Sequence, residues 1–164
     1  MNAFVSRPGA PIAASGSVVF DPTPFPLVVL TFLNEECTED DLEVIFAGFQ
    51  ELWKRRSRYV LVIDGRRVTK VPTARWRQKL ADWERANAGD TQRWNGGAAV
   101  VIPNSLVRGA LIAVEWLFKP ATPRAYFKDV ASSREWVLEQ LRVHGLPSGP
   151  AIEAFFAAEA GTAS

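Results

Sequence analysis

The side chains of this sequence that could bind an anion or an acidic partner are concentrated between residues 64 and 75. This segment follows the apolar run YVLVI and contains Asp64, Arg66, Arg67, Thr69, Lys70, Thr73 and Arg75. In an open α/β sheet, ligands bind beyond the carboxyl ends of the strands, and the first turn of a helix favours anions. The sequence therefore predicts a binding surface for an anion, a phosphorylated partner or an acidic protein. The alternative interpretation is a solvated, mobile loop.

A second polar group follows the next buried run. After AAVVI at residues 98–102 come Asn104, Ser105 and Arg108, where a helix is predicted to start. We expect these side chains on the same edge of the sheet as Asp64, because the carboxyl ends of parallel strands meet there. In the alternative interpretation, Asn104 or Ser105 caps the helix and Arg108 covers the helix stem with its aliphatic part.

Residue patterns typical of catalytic and metal sites are scarce. The chain has neither a Gly-x-Gly-x-x-Gly nor a P-loop motif, and its single histidine, His144, stands at a predicted helix end beside Gly145. Cys37 precedes a helix start, which favours a thiolate, but its acidic neighbours oppose ionisation: Glu35, Glu36, Glu39 and Asp40. We therefore expect a protein that is not an enzyme, with no catalytic residue, no metal site and no cofactor.

Length and composition indicate one globular domain. The 164 residues are 48% hydrophobic and 23% charged, which suits a chain with a core of its own. The formal net charge of +1 gives no support to nucleic-acid binding. We expect no membrane span, because no apolar stretch approaches the roughly 20 residues it needs. One cysteine permits no internal disulfide, and a cytoplasmic location is the default.

Periodicity predicts strands and helices in alternation after an opening hairpin. Residues 1–15, rich in Ala, Pro and Gly, are expected to form a flexible leader. Apolar or β-branched runs predict strands at 17–20, 27–33, 59–63, 98–102 and 124–127. A 3.6-residue apolar period predicts helices at 39–53, 73–88, 105–118 and 134–141, with a short extra helix possible at 151–160. The order β-β-α-β-α-β-α-β-α predicts a mostly parallel mixed sheet joined by right-handed crossovers.

Five segments carry a resemblance to a known family: YVLVID at 59–64, TARWR at 73–77, AAVVIPNSLVRG at 98–109, IAVEWL at 112–117 and AYFKDVASSREW at 125–136. In this order, and over residues 17–143, they resemble the SpoIIAA-like branch of the STAS superfamily. The resemblance implies a single α/β domain at residues 16–146, with about five strands and about four helices, followed by a C-terminal tail at 147–164. It also implies a role in protein–protein signalling.

The same resemblance suggests where the chain would be phosphorylated. In anti-sigma-factor antagonists of this fold, the modified Ser or Thr stands at the start of the helix after the Asp-ending strand, where phosphate adds a charge of about −2. Here Gly65 and Arg66 follow Asp64 in place of the usual Asp-x-Ser. Thr69 and Thr73 are the nearest hydroxyls and therefore the candidate phosphorylation sites. Thr73 is also a suitable helix cap.

Three classes of function are compatible with these patterns. The leading hypothesis is a non-enzymatic interaction or signalling module of the STAS type that binds a protein partner through residues 64–70 and the adjacent helix starts. The first alternative is a carrier of a small ligand or lipid, with an apolar pocket lined by the helix at 106–118. The last alternative is a small enzyme acting on an anionic substrate. A homodimer formed through exposed Trp or the 151–160 segment is also compatible with the sequence.

Overall fold

The apolar runs of the sequence form one mixed β-sheet, as predicted. The computed structural model describes residues 13–162. Its strands are β1 (Ala13–Ala14), β2 (Val18–Asp21), β3 (Leu27–Phe32), β4 (Tyr59–Asp64), β5 (Asn95–Val101) and β6 (Arg124–Phe127). Five of these correspond to the predicted strands, and β1 is a two-residue addition at one edge. The general α/β class is thereby confirmed.

The strands lie in the sheet in the order in which they occur in the chain. The pairings β1–β2 and β2–β3 are antiparallel, whereas β3–β4, β4–β5 and β5–β6 are parallel. Asp64 lies opposite Thr31 on one side and Val101 on the other, so the carboxyl ends of β3, β4 and β5 are level. The segments that leave these three strands therefore start from one edge of the sheet.

The described residues contain six α-helices, so the expected number of about four is too low. They are α1 (Glu39–Trp53), α2 (Ala74–Ala86), α3 (Ala88–Trp94), α4 (Ser105–Val114), α5 (Arg134–Val143) and α6 (Pro150–Thr162). A 3₁₀ turn, Ala131–Ser133, precedes α5. α1 begins with a reciprocal cap: the Thr38 hydroxyl accepts from the Asp41 amide, and the Asp41 carboxylate accepts from the Thr38 amide.

α3 occupies a place where the sequence predicts only a stop. Asn87 ends α2, and its side-chain amide donates to the Trp83 carbonyl. The chain then starts a new helix at once, in spite of Gly89. A helical glycine costs about 1 kcal/mol relative to alanine. That cost is offset because α3 packs Trp94 against the core.

Helices cover both faces of the sheet. Because consecutive parallel strands are neighbours, the connecting helices α1, α2 and α4 lie together on one face. Leu42 of α1, Trp76 of α2 and Val107 of α4 share a core there with Leu30 and other strand residues. On the opposite face, α5 and α6 bury Val137, Leu141, Ile152 and Phe156 against Leu27, Val29, Val60 and Val62.

The predicted leader and the predicted tail both contribute regular secondary structure. Of the predicted leader, residues 1–12 lie outside the described part of the chain, and Ala13–Ala14 form β1. In the predicted tail, α6 extends to Thr162 and buries Ile152 and Phe156. No helix within residues 13–162 combines the length and apolar character that crossing a membrane requires.

Candidate functional site

The segment after β4 is held by ion pairs within the chain. The Asp64 carboxylate accepts from Arg66 twice through the guanidinium, at Nε (2.9 Å) and Nη2 (2.8 Å), and once through the Arg66 backbone amide (3.1 Å). Arg66 Nη1 also lies 2.9 Å from a carboxylate oxygen of Glu159 on α6. Hydrogen bonding to Asp64 raises the pKa of the Arg66 guanidinium above its ordinary value. Arg66 thus joins the end of β4 to α6.

The other predicted cations of this segment also have internal partners. Arg67 donates to the Leu33 carbonyl (3.3 Å). The remaining two face acidic residues, Lys70 with Glu36 (3.6 Å) and Arg75 with Glu39 (3.0 Å). Because these pairs are exposed, each contributes little to stability. They nevertheless balance the positive charge that an anionic partner would meet.

The two candidate phosphorylation sites differ in their surroundings. Thr73 caps α2, with its hydroxyl accepting from the Trp76 amide at 3.2 Å. Thr69 is exposed, and its backbone amide donates to the Glu35 carbonyl. The capping role that the sequence allows for Thr73 is therefore present in the structure.

The second polar group lies at the same sheet edge as Asp64. Asn104 caps α4, with its side-chain oxygen accepting from the Leu106 and Val107 amides at 3.1 Å. Ser105 is the exposed first residue of α4, and Arg108 donates to the Ile102 carbonyl at 3.0 Å. The structure thus brings the two predicted groups to one edge, with the arginine engaged by the chain itself. Partner binding at this edge stays a prediction.

A cavity lies between the sheet and helices α1, α2 and α4. It has a volume of about 100 Å³. Most of its walls are apolar side chains from the two layers, among them Leu30, Leu61, Ile63, Trp76, Leu80, Trp83, Ala98, Val100, Leu111, Val114 and Phe118. The helix that the sequence offers as a pocket wall, α4, contributes Val107, Leu111 and Val114.

Unequal side-chain sizes account for this space. On α1 and α2, aromatic rings stack: the Phe46 and Trp83 centroids are 4.6 Å apart, and those of Trp53 and Trp83 are 5.6 Å apart. On β5, Ala98 and Val100 face the same layer, and the side chain of Ala98 is a single methyl group. Large rings thus pack α1 and α2 together, while Ala98 contributes only a methyl group to the cavity wall.

One end of the cavity is polar. Arg124 of β6 donates to Glu84 of α2 (2.6 Å) and lies 3.9 Å from Glu115, which accepts from the Tyr126 hydroxyl at 2.6 Å. The side chains of Arg124, Glu84 and Glu115 are 15%, 12% and 20% exposed, so water screens their charges only partly. Burial and the hydrogen bond to Glu115 raise the pKa of Tyr126 above its ordinary value. We call these four residues the polar cluster.

Two buried polar atoms of the cavity wall have no hydrogen-bond partner among the described residues. They are Nε of Arg124 and the hydroxyl oxygen of Thr91 in α3. Thr91 is only 6% exposed. Since buried donors and acceptors are nearly always paired in folded proteins, these two atoms identify the part of the cavity wall that has hydrogen bonds to offer.

The thiol of Cys37 lines the opposite end of the cavity. Burial, reinforced by the negative charges of Asp41 and Glu36, raises its pKa to about 12. The thiol therefore stays protonated at neutral pH and is a poor nucleophile. Of the four acidic neighbours named from the sequence, Glu36 contributes to the raised pKa, whereas burial is the larger cause. His144 has a structural position at the end of α5, with Nδ1 2.9 Å from Arg58 and Nε2 2.9 Å from the Gly96 carbonyl.

The polar cluster is the part of the site that sequence reasoning missed, although each residue left a signal. Glu84 follows Leu80 by four positions and so interrupts the apolar face of α2. Glu115 has the same spacing from Leu111 on α4. On β6, Arg124 and Tyr126 are two residues apart and so share one face of the strand. A charged residue on an apolar face indicates that an oppositely charged residue lies against it in the fold, but the sequence does not say which residue this is.

Neither the search for metal-binding groups nor the comparison with known proteins assigns a family or a ligand to this chain. Within residues 13–162, no group of three or more His, Cys, Asp or Glu side chains is placed to hold a metal ion. No family model matches the chain, and neither the curated proteins nor the solved structures include a significant match.

Proposed function

We propose that this chain is a non-enzymatic binding protein that holds a small, mainly apolar ligand between its sheet and helices α1, α2 and α4. The cavity of about 100 Å³ is the observation that carries this proposal. The competing interpretation, an anionic partner at residues 64–70, is less well supported because Asp64, Glu159, Glu36 and Glu39 already face the cations of that region.

The size of the cavity suits a small ring or a short chain. Protein interiors are close-packed, with few voids larger than a water molecule. An engineered apolar cavity of roughly 150 Å³ is large enough for benzene. At about 24 cal/mol for each Å³, an unfilled void of this size costs about 2 kcal/mol of stability. A ligand that fills the space recovers part of that free energy, which gives binding a driving force.

The groups around the cavity favour binding over catalysis. Both carboxylates of the polar cluster are already engaged, Glu84 by Arg124 and Glu115 by Tyr126. The Cys37 thiol is protonated at neutral pH. A general base or nucleophile has to be free to move a proton or to attack, and these groups are not arranged for either task.

A cavity-filling substitution tests the proposal. Ala98→Leu adds three carbon atoms to the cavity wall, and we expect it to preserve or increase the free energy of unfolding, whereas overpacking a filled core costs about 1–3 kcal/mol. Cyclohexane should raise the melting temperature of the natural protein and have no such effect on A98L. Native mass spectrometry of protein purified without denaturation should show a retained small molecule only in the natural chain. An A98L protein that is strongly destabilised, together with no cyclohexane effect on either protein, would refute ligand binding here.

Protein–protein interaction is the second candidate, favoured by an exposed apolar stripe on α4 and the turn after it. The stripe consists of Leu106 (74% exposed), Gly109, Ala113 and Trp116 (88% exposed), spaced by three, four and three residues. We propose a second copy of the chain as its occupant. In an antiparallel two-fold pairing, Leu106 meets Trp116 of the other copy and Gly109 meets Ala113, so the stripe is self-complementary. The net charge of +1 offers little repulsion between copies.

Light scattering at increasing concentration tests self-association. We expect the natural protein to increase in mass and Trp116→Lys to stay monomeric. Val143→Lys is the matched control, because Val143 is also an exposed apolar residue (59%) but lies on α5. A natural protein that is monomeric at all concentrations, or two variants that behave alike, would contradict pairing through α4.

A further inference from the structure

We propose that the ligand of the cavity carries a neutral oxygen acceptor, best a carbonyl, which binds to Nε of Arg124 and the hydroxyl of Thr91. This inference rests on the proposed ligand-binding function and adds the chemical class of the ligand. Its basis is the pair of buried atoms in the cavity wall that lack a hydrogen-bond partner among the described residues.

The donor geometry of Arg124 points to an acceptor. Its Nη2 donates to Glu84, and its Nη1 lies on the side of Glu115, so the two terminal nitrogens serve the polar cluster. Its Nε–H is buried and has no hydrogen-bond partner within residues 13–162. A guanidinium only donates hydrogen bonds and stays charged at every accessible pH, so the group that completes Arg124 must be an acceptor.

Thr91 can serve the same acceptor. Its hydroxyl is buried in α3, lines the cavity and has no partner among the described residues. A carbonyl oxygen has two lone pairs and can accept from two donors at once. A ligand carbonyl within hydrogen-bond distance of both would satisfy the Arg124 Nε–H and the Thr91 hydroxyl together.

The charges of the polar cluster select a neutral ligand. Glu84 and Glu115 contribute two negative charges and Arg124 one positive charge, so the cluster is negative as a whole. A ligand carboxylate would be repelled by both glutamates in a poorly screened environment. An ammonium group cannot accept from Arg124 Nε and would lie beside its guanidinium. A neutral ketone, aldehyde, ester or amide meets neither obstacle.

The apolar walls limit the rest of the ligand. The space is lined by the side chains of Trp83, Val100, Leu111 and Phe118. Among these side chains, only the indole N–H of Trp83 can form a hydrogen bond. Scaled from the roughly 150 Å³ that holds the six carbon atoms of benzene, a volume of about 100 Å³ admits an apolar body on the order of four to six non-hydrogen atoms. A cyclic or branched ketone of this size has the required shape and polarity.

Four compounds built on the same six-membered carbon ring separate the possibilities. Cyclohexanone, cyclohexane, cyclohexanecarboxylate and cyclohexylamine are each titrated into the full chain, and binding is followed by backbone amide chemical shifts. We expect cyclohexanone to bind most tightly, with the largest shifts around Thr91 and Arg124. Thr91→Val should weaken cyclohexanone binding by about two- to tenfold, the effect of one hydrogen bond. It should leave cyclohexane binding unchanged.

Two further variants make the result specific. Thr91→Ser keeps the hydroxyl and should restore the preference for cyclohexanone. Thr162→Val is the matched control, because Thr162 is an exposed residue at the end of α6 on the opposite face of the sheet, and it should change neither affinity. Equal binding of cyclohexane and cyclohexanone, or tightest binding of the carboxylate or the amine, overturns this inference and leaves the ligand-binding proposal standing. Failure of all four compounds to bind overturns both.

Discussion

Replacing Arg124 by methionine should be among the most damaging single changes in this protein. Met has a similar length and no charge, so Arg124→Met keeps much of the volume and removes the cation that faces Glu84 and Glu115. The two glutamates would then lie in a largely buried site that contains no positive charge. Removing one partner of a buried ion pair is costly because the other charge is left uncompensated.

The magnitude follows from the contacts that are lost. The charge-assisted hydrogen bond to Glu84 at 2.6 Å is worth about 1.5–3 kcal/mol. The Arg124 guanidinium also lies 5.3 Å above the Phe118 ring, a contact worth about 0.5–1 kcal/mol. We therefore expect a loss of roughly 2–4 kcal/mol. For a chain of this length, that loss lowers the melting temperature by roughly 5–15 °C.

Urea denaturation followed by circular dichroism at pH 7.5 measures the effect without relying on tryptophan fluorescence. Adding Glu84→Gln to Arg124→Met should recover about 1 kcal/mol or more, because the unpaired charge is gone. Arg142→Met is the matched control: Arg142 pairs with Glu139 on the surface of α5, with 72% and 51% exposure, and its loss should have little effect. A result in which Arg124→Met lowers the free energy of unfolding by less than about 1 kcal/mol, and Glu84→Gln lowers it further, would show that the polar cluster is well solvated. It would refute our description of the cluster as largely buried.

Two further predictions concern packing and pH. Gly48→Ala in α1 places a methyl group 2.8 Å from the buried Phe20 ring of β2 and should lower the free energy of unfolding by about 1–2 kcal/mol, measured with denaturant. Gly109→Ala in α4 has no atom within 4 Å of the new methyl group and should raise the free energy of unfolding by about 0.5–1 kcal/mol. A stabilised G48A would contradict the close packing of α1 on Phe20. Both tyrosines, Tyr59 and Tyr126, have a pKa raised by burial, so their contribution to stability is complete below the ordinary tyrosine pKa and is lost as pH rises above about 10. The loss should reach about 1.4 kcal/mol per pH unit for Tyr59 and less for the more exposed Tyr126. Absorbance at 295 nm, which reports ionised tyrosine, should then rise only together with loss of the circular dichroism signal. A rise near pH 10 while the protein is still folded would contradict the burial of these tyrosines.

Local patterns in the sequence were sufficient to predict most of the elements. The Thr38 cap, the apolar runs of β3, β4 and β5, and the period of α1 depend on residues close together in the chain. The structure contains them where the sequence places them, except that β5 (Asn95–Val101) starts three residues before the predicted 98–102. α3 was not predictable in this way, because Asn87 and Gly89 are stop signals whose effect is outweighed by the packing of Trp94 against the core.

The site required information that local patterns do not contain. The sequence shows a cationic segment at Arg66, but not that Glu159, far away on α6, lies against it. Similarly, Glu84, Glu115 and Arg124 come from three elements that meet only in the folded chain. The cavity is lined by residues from β3, β4, β5, β6 and helices α1, α2, α3 and α4, which come together only in the folded chain. The STAS resemblance and the role of residues 64–70 stay predictions.

The order of the strands has a consequence for the chain during its synthesis. Each strand from β2 to β6 pairs with the one made just before it, so a nascent chain can extend the sheet step by step as residues leave the ribosome. Within residues 13–162, one face receives α1, α2 and α4 along the way, whereas the opposite face, with Leu27, Val29, Val60 and Val62, is covered only by α5 and α6, which are made after all six strands. A ribosome that stalls after β6 therefore presents a sheet with one uncovered apolar face, the kind of surface that holdase chaperones bind and that drives aggregation.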